Sequence, residues 1–463
     1  MDHKFKINQR ILLAKLINAI KLLLFFISYN SYCQQQIEIF GEGVLTGIIS
    51  TENEIPFWFY KNTSTRQGKY TNGAAYGKFG AKYDFGKNSS LEGGISLMLR
   101  DGVENNFQRE NLFLEYNNKW LRATVGAKER PIFYNGLSST NGNMIWSLNS
   151  RPMPGIILEA SKPLRISNTF ALDWGIAHYS LNDDRYVTDT RVHYKRLGLI
   201  VTFNENHKIT ARLQHFAMWA GTSPEYGKLP SDFEAFVNVF FARAGSGDDP
   251  EGEIQNAVGD HVGSYLLEYK LNTSLGNFSM YHEHPFEDGS GTGFQNFPDG
   301  VWGVTFTPEN QKIIANFLYE YIDTTDQSGS SGVSGRDGYF SSYLYRSGWT
   351  YEGNIIGIPF ITADNSINLD ENPSSINNNR VRAHHFGLMG NFKKIDWVFK
   401  TTISKSFGTY GAPFNPTLEN WYNYISFSYT TDKFGIISIQ GGADTSNIYD
   451  TIIGGGVSYK YVF

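Results

Sequence analysis

Apolar and polar residues alternate along the last segment of the chain. The apolar positions are Val457, Tyr459, Tyr461 and Phe463, and the polar positions between them are Ser458 and Lys460. Successive side chains of a β-strand point to opposite faces of its sheet, so this period of two predicts a strand with one apolar and one polar face. Such a strand suits a barrel wall, because one face can contact lipid while the other lines a wet lumen.

The same alternation recurs upstream. Three further stretches show it: Leu121, Ala123, Val125 and Ala127 against Arg122, Thr124 and Lys128; Ile313, Ala315, Phe317, Tyr319 and Tyr321 against Asn316 and Glu320; and Trp421, Ile425, Phe427 and Tyr429. A Lys or Arg facing lipid at mid-depth would cost about 2–4 kcal/mol, so the charged sides are expected to face the lumen or the rims. The pattern predicts an all-β fold, a closed antiparallel transmembrane β-barrel.

Connections of two lengths separate these segments. Short turns such as 307–310 alternate with long stretches rich in Gly, Ser, Asp and Asn at 245–263, 285–300, 323–338 and 362–380. Short turns at one end and long loops at the other are typical of outer-membrane barrels. The 430 residues after residue 33 (463 minus 33) give about 18 strands at roughly 24 residues per strand and connection. A soluble propeller or sandwich is the alternative, but no fixed internal repeat supports it.

One segment breaks the strand pattern. Phe233, Phe236, Val237, Phe240 and Phe241 recur at helical spacing, Ser231 and Glu234 form a capping box, and Gly245 follows as a stop signal. We predict a short amphipathic helix over 231–243, inserted between strands, which acts as a plug or narrows the lumen. The alternative is a buried strand with an accidental helical period.

The first 33 residues have the order of parts that a secretion signal requires. Five basic residues between Lys4 and Lys21 precede an apolar run from Leu22 to Ile27, and small or polar residues then lead to Cys33. The apolar run is shorter than the roughly 20 residues of a spanning helix, and Ser31 and Cys33 fit the small positions of a cleavage site. We therefore expect residues 1–33 to be a cleaved signal peptide and 34–463 to be the barrel domain. Lipidation of Cys33 is the alternative.

Charge and cysteine content narrow the classes of function. Removing the signal leaves 35 basic (40 minus 5) and 44 acidic (45 minus 1) side chains, a formal charge near −9, and removes the single cysteine. Disulfides, thiolate metal sites and a cysteine nucleophile are thereby excluded from the mature chain. Nucleic acid is not an expected partner, because the sequence shows no basic stripe that could neutralise phosphates.

Aromatic and ionisable residues are concentrated in three stretches, 215–226, 278–303 and 345–352, where strands meet loops. Aromatic rings accept the apolar face of a pyranose, and carboxylates accept hydrogen bonds from sugar hydroxyl or amino groups, so these stretches are candidates for polysaccharide binding. The candidate residues are Trp219, Glu225, His282, Glu283, His284, Asp288, Asp299, Trp302, Trp349 and Glu352. We expect the three Trp to stack on sugar rings and Glu283, Asp288 and Asp299 to accept hydrogen bonds. The alternative is an aromatic girdle at the membrane interface with ordinary polar neighbours.

Catalysis receives little support from the sequence. His282 and His284 lie on one face of a strand, but no third metal ligand stands at a telling spacing, so we predict no metal and no cofactor. Glu283, Glu287 and Asp288 include a possible glycosidase pair, yet that chemistry is defined by a carboxylate separation that a sequence does not give. No G-x-S-x-G elbow, phosphate-cradling loop or H-E-x-x-H motif is present. We therefore expect a protein that is not an enzyme.

Five stretches carry a resemblance to a known family. They are Arg191 to Lys195, Leu213 to Pro224, Asn256 to Tyr265, Tyr281 to Trp302 and Tyr345 to Phe360. These stretches resemble the Wzi family of capsule assembly proteins, in the form found in the Bacteroidetes, and together with the barrel ends they span most of the mature chain. The terminal aromatic strand similarly resembles the recognition signal of outer-membrane barrels.

The resemblance implies an outer-membrane barrel of about 18 antiparallel strands that is closed by internal elements and attaches exported capsule to the cell surface. Characterised members carry a helical bundle near the mature N-terminus that seals the periplasmic end. Residues 34–75 contain Gly41, Gly43, Gly47 and Pro56 and show no helical periodicity, so we expect that bundle to be absent or much reduced.

The expected function is that of a monomeric, lectin-like protein of the Gram-negative outer membrane that binds or retains capsular or exopolysaccharide, with membrane lipid around it. The alternative from another class is an outer-membrane diffusion channel for small solutes, which shares the fold and the polar lumen. A surface enzyme acting on the polysaccharide is the third possibility.

Overall fold

The computed structural model describes residues 37–245, 250, 257–311, 313–329, 338–431 and 433–463. The predicted signal peptide over 1–33 lies outside the described residues. No helix in the described ranges is long and apolar enough to cross a membrane.

The described chain contains twenty-five strands, three short α-helices and one 3-10 helix (Tyr134–Gly136). In chain order the strands are β1 (Ile37–Ser50), β2 (Gly73–Asp84), β3 (Ser90–Arg100), β4 (Phe107–Asn117), β5 (Leu121–Ala127), β6 (Gly155–Ala160), β7 (Leu164–Arg165), β8 (Phe170–Ser180), β9 (Arg191–Thr202), β10 (His207–Trp219), β11 (Thr222–Ser223), β12 (Gly227–Lys228), β13 (Asp260–Thr273), β14 (Gly276–Phe286), β15 (Gly300–Pro308), β16 (Ile314–Asp323), β17 (Thr350–Tyr351), β18 (Asn354–Ile355), β19 (Thr362–Ala363), β20 (Ile376–Asn378), β21 (Val381–Phe392), β22 (Ile395–Gly408), β23 (Pro413–Thr430), β24 (Ile436–Ser446) and β25 (Ile452–Val462). The helices are α1 (Phe57–Tyr60), α2 (Phe233–Phe241) and α3 (Gly289–Thr292).

The long strands form one closed antiparallel barrel. Each strand pairs with the next long strand along the chain, and β1 pairs with β25, from Glu42 opposite Val462 to Ser50 opposite Gly454. Strands β6 and β7 both pair with β8 and continue one another, so the 19 segments of the sheet count as 18 barrel strands. Closure leaves no unpaired sheet edge, which a membrane-spanning sheet requires. The predicted strand number is confirmed.

The two rims of the barrel differ as predicted. The rim that holds both chain ends carries short turns, for example 118–120, 203–206 and 274–275, and we call it the short-turn rim. The opposite, long-loop rim carries the connections 51–72, 128–154, 181–190, 220–259, 287–299 and 324–380. Most connections at this rim are too long for a tight hairpin, so they have enough chain to cover the lumen.

The apolar face of each predicted alternation points outward. Val457, Tyr459 and Tyr461 of β25 are exposed, as are Trp421 and Phe427 of β23. Exposed large apolar side chains recur around the strands, as expected where the surrounding solvent is hydrocarbon rather than water. The fold is therefore a transmembrane barrel with an apolar outer wall.

The predicted helix is present, but its position differs from the prediction. Helix α2 is capped by Asp232, whose side chain accepts a hydrogen bond from the Ala235 amide at 2.8 Å, one residue later than the predicted Ser231 cap. Its buried residue Ala235 packs with Ala217 and Trp219 of β10. In a strand, these two alternate with Phe216 and Met218, which belong to the lumen core, so they face away from the lumen.

Helix α2 therefore lies on the outer wall of the barrel, and the prediction that it plugs or narrows the lumen is wrong. The apolar stripe of the helix is real, but it packs against the outward face of β10. Phe233 at the start of α2 remains 79% exposed.

Segments from the long-loop rim fill the lumen instead. Ring contacts extend inward from both walls: Phe216 of β10 contacts Trp349 (5.3 Å between ring centroids). On the other side, Tyr422 of β23 stacks on Phe57 of α1 (4.1 Å), which stacks on Phe360 (5.7 Å). One buried apolar cluster includes or packs against all five residues. Because β10 and β23 lie on opposite sides of the barrel, this core joins the two walls across the lumen.

Candidate functional site

Glu283 anchors the 128–154 connection inside the barrel. Glu283 lies on β14 with its side chain facing the lumen. It accepts hydrogen bonds from the Met144 amide (2.7 Å), the Ser264 hydroxyl (2.7 Å) and the Gln214 side chain (3.0 Å). All three donors come from the protein itself, and Glu283 is buried. Glu283 therefore holds the inserted segment in place, and its carboxylate is not accessible to a polymer in this structure.

Glu320 of β16 makes a second anchor for the same connection. Its carboxylate accepts hydrogen bonds from the Ser138 hydroxyl (2.6 Å), from the amide (2.8 Å) and hydroxyl (2.6 Å) of Ser139, and from the Tyr281 hydroxyl (2.7 Å). A buried carboxylate is stable only when such donors replace water. We call residues 128–154, held by Glu283 and Glu320, the plug segment.

Glu352 has a comparable structural role nearer the rim. It forms an ion pair with Arg151 of the plug segment and accepts a hydrogen bond from Gln108 of β4 at 2.9 Å. The backbone amide of Glu352 donates to Asp183 at 2.8 Å. Through its side chain and its backbone amide together, Glu352 thus links three separate connections and strand β4.

Asp299 and Asp288 both organise the loops around α3. Asp299 accepts hydrogen bonds from the amides of Asp326 (3.1 Å) and Gln327 (2.9 Å) and from the Tyr339 hydroxyl (2.9 Å), and burial raises the pKa of Asp299 to about 7. Asp288 caps the short α3 by accepting from the Ser290 amide at 2.7 Å. Both carboxylates thus accept hydrogen bonds from residues of the protein's own loops, and in this way they hold those loops in place.

His282, His284 and Trp302 face outward. The rings of His282 and Trp302 stack at 3.7 Å between centroids, and His284 stacks on Phe294 at 4.7 Å. Trp302 and Phe294 are partly exposed on the outer wall, where aromatic side chains form the girdle of a membrane barrel. The girdle interpretation therefore fits Trp302 better than sugar stacking does. Within the described part of the chain, no three His, Asp or Glu side chains converge as a metal site.

Trp219 and Trp349 are both buried, Trp219 on the outer wall beneath α2 and Trp349 in the lumen core. Trp349 is only 1% exposed, and its indole NH donates to the Ile145 carbonyl at 2.7 Å. Trp219 is covered by α2 and packs edge-on against His178 at 5.5 Å. Neither indole face is open to a polymer in this structure. The prediction that these two residues stack on sugar is therefore corrected: both pack against other parts of the protein.

Glu225 is the candidate residue that lies on an open polar surface. It occupies the tip of the β11–β12 hairpin, where Ser223 accepts hydrogen bonds from the Glu225 and Tyr226 amides at 3.3 and 3.4 Å. The Glu225 carboxylate pairs with Arg346, and the guanidinium of Arg346 lies 4.8 Å from the ring centroid of Tyr186.

Two exposed rings complete this surface. Tyr226 is 44% exposed and Tyr343 is 48% exposed, and the Tyr343 carbonyl accepts a hydrogen bond from Arg346 at 3.3 Å. We name this surface the rim cluster, which consists of Tyr186, Glu225, Tyr226, Tyr343 and Arg346. It combines flat apolar faces with a charge pair at the long-loop rim, a composition suited to carbohydrate.

Four of these five residues were not among the sequence candidates. Tyr226 and Arg346 fall inside two of the aromatic stretches. The composition of those stretches was therefore the sequence feature that could have identified these two residues as candidates. The meeting of Arg346 with Glu225, 121 residues away, depends on how two long loops fold against each other. That contact leaves no local pattern in the sequence.

Comparison with known proteins gives a likeness in fold. No protein-family model matches the chain, and no curated protein matches it in sequence. Among solved structures, one superimposes with a TM-score of 0.61 over 90% of this chain and 83% of its own, at 12% identity. The barrel is similar to Wzi of Escherichia coli. That protein is described as an outer-membrane, carbohydrate-binding β-barrel involved in group 1 capsule assembly.

Other barrels superimpose less well. OccK5 of Pseudomonas aeruginosa gives a TM-score of 0.49 at 8% identity, covering 92% of this chain and 97% of its own. A BenF-like porin of Pseudomonas fluorescens gives 0.46 at 10% identity, covering 92% and 98%. At 12% sequence identity, the likeness to Wzi extends to the fold alone.

Proposed function

We propose that this protein binds or retains a capsular or exopolysaccharide at the outer-membrane surface, as a monomer and without catalysis. The observation that carries the proposal is the rim cluster: exposed tyrosine rings and a Glu225–Arg346 pair stand at the long-loop rim above a filled lumen. In outer-membrane barrels the longer loops are extracellular, so this surface would meet polymer outside the cell.

The filled lumen supports a binding role over transport. The plug segment is tied to the wall through Glu283 and Glu320, and the buried apolar cluster extends across the lumen from Phe216 to Tyr422. A diffusion channel needs a continuous wet path, which a buried apolar cluster opposes. The likeness of the fold to the carbohydrate-binding barrel Wzi adds a reason to test polysaccharide first.

The non-catalytic part of the proposal rests on the state of the candidate acids. Glu283, Asp299 and Glu320 are buried and accept hydrogen bonds from protein donors. A glycosidase needs two carboxyl groups that reach the scissile bond. These three acids serve instead as internal anchors.

Binding and catalysis can be tested together on the purified protein. Reconstituted in lipid nanodiscs, it should bind purified capsular polysaccharide of its source cell, measured by biolayer interferometry, and leave the polymer length unchanged after prolonged incubation. Shortening of the polymer would promote the enzyme alternative, and no binding to any surface polysaccharide of that cell would contradict the proposal.

One observation favours the channel as a second candidate. A cavity of about 300 Å³ remains between the plug segment and the wall of β1, β24 and β25, and it is lined partly by Thr46, Arg66, Glu129 and Gln440. Polar and charged lining is what a solute path needs. If the plug segment moved, this cavity would be the natural start of such a path.

A further inference from the structure

A second cavity lies on the outer wall, outside the lumen; it shares the β11–β12 hairpin with the rim cluster, but none of its lining residues belongs to that cluster. It has a volume of about 700 Å³, and we call it the outer-wall cavity. Its floor comes from β5, β6 and β8 and its roof from the start of β9 and the β11–β12 hairpin. The residues used below are Val125, Ile156, Ser180, Asp189, Arg191 and Lys228.

Strand alternation shows that this cavity faces outward. Ile156 pairs with His178 across β6 and β8, whereas their neighbours Ile157 and Tyr179 belong to or pack on the lumen core. Because successive side chains of a strand point to opposite faces, Ile156 and His178 lie on the lipid-facing side. Val125 and Ile156 are each 56% exposed there.

The lining of the cavity changes from apolar to charged toward the long-loop rim. Val125 and Ile156 provide an apolar wall toward the middle of the barrel, and two exposed cations, Arg191 and Lys228, lie at the long-loop rim. Neither cation forms an ion pair within 4.0 Å among the residues that the structure describes. Asp189 is the one acid in the lining, and the Ser180 side chain adds a hydroxyl group.

Helix α2 and Trp219 pack beside Arg191 at one side of this cavity. The Arg191 guanidinium lies 5.5 Å from the Trp219 ring centroid, and Trp219 packs on Phe236 of α2 at 5.8 Å. Lys195 of β9 donates to the Phe240 carbonyl near the end of the helix. Phe233 is exposed two residues after Ser231, which lines the cavity, and exposed aromatic residues of this kind occur on helices that lie in a membrane interface.

We propose that the outer-wall cavity binds an anionic, phosphate-bearing lipid of the outer leaflet. Its phosphate would lie between Arg191 and Lys228, and its acyl chains would follow the wall at Val125 and Ile156. Cations that have no ion-pair partner among the described residues can attract phosphate through charge-assisted hydrogen bonds, and an apolar wall directly below them favours a ligand with hydrocarbon attached to that phosphate. The proposal is independent of polysaccharide binding at the rim cluster.

The test compares lipids and variants on the full-length mature protein in detergent micelles, with native mass spectrometry as the readout. Bisphosphorylated lipid A should bind in preference to phosphatidylcholine and to dephosphorylated lipid A. In R191Q/K228Q the affinity for lipid A should fall about tenfold or more, since two charge-assisted contacts are lost. K87Q/K119Q is the matched control: it removes two exposed cations from the short-turn rim and should bind like the wild type.

Two further arms keep the test decisive. Excess inorganic phosphate should displace lipid A poorly, and Ile156→Thr should weaken lipid A while leaving the barrel folded, as judged by heat-modifiable migration on gels. Equal loss in both double variants would mean general charge attraction and would overturn the site. Full displacement by inorganic phosphate would mean a free-anion site and would overturn the lipid assignment.

Discussion

The protein should pass no steady current when it is inserted into a planar lipid bilayer, whereas the variant E283A/E320A should show frequent openings. The two carboxylates together accept seven hydrogen bonds, four of them from the plug segment at Ser138, Ser139 and Met144. Each buried donor left without a partner costs about 1–3 kcal/mol, so the plug segment should leave its docked position far more often. Single-channel recording measures both predictions.

A matched acid tests whether the effect is specific to the plug segment. Glu419 is exposed near the long-loop rim and pairs with Lys405 on the barrel wall at 2.7 Å, so E419A should remain silent. Surface pairs of this kind contribute roughly 0–1 kcal/mol. A large steady current from the wild-type protein would contradict the closed lumen and would move the diffusion channel to first place.

Replacing both exposed rings of the rim cluster, in Y226A/Y343A, should weaken polysaccharide binding about tenfold or more. An aromatic contact contributes about 0.5–1.5 kcal/mol beyond the area it buries, and tenfold in affinity corresponds to about 1.4 kcal/mol. Because both side chains are substantially exposed, their removal should leave the barrel folded. The dissociation constant from biolayer interferometry on nanodiscs is the quantity to compare.

The control for this pair uses two exposed rings at the other end of the barrel. Trp120 and Phe434 lie in turns of the short-turn rim and are exposed, so W120A/F434A should bind polysaccharide with unchanged affinity. If Y226A/Y343A also binds like the wild type, the polymer contacts some other surface and the rim cluster is not the site.

Much of the fold could be predicted because strand alternation is a local signal. The alternation of apolar and polar residues identified the outward-facing side chains Val457, Tyr459 and Tyr461. The difference between short turns and long loops could also be predicted from the sequence. The helical stripe around Phe236 was equally local. What a stripe does not specify is the surface it packs against, and α2 packs on the outer face of β10 instead of the lumen.

The candidate site was harder to predict, because burial in this barrel depends on long-range contacts. Trp349 has the sequence surroundings of a surface loop, yet its indole binds the Ile145 carbonyl, 204 residues away. Glu283 likewise stands among aromatic and ionisable neighbours but meets Met144 of the plug segment. Only Glu225 of the predicted carboxylates combined an exposed position with open aromatic neighbours.

The most direct test of polysaccharide retention is deletion of the gene, followed by separate measurement of cell-attached and released polymer. We expect the polymer to be made in normal amount but to appear in the medium, and re-expression of the wild-type protein to restore attachment. Unchanged attachment in the deletion strain would contradict the proposed function.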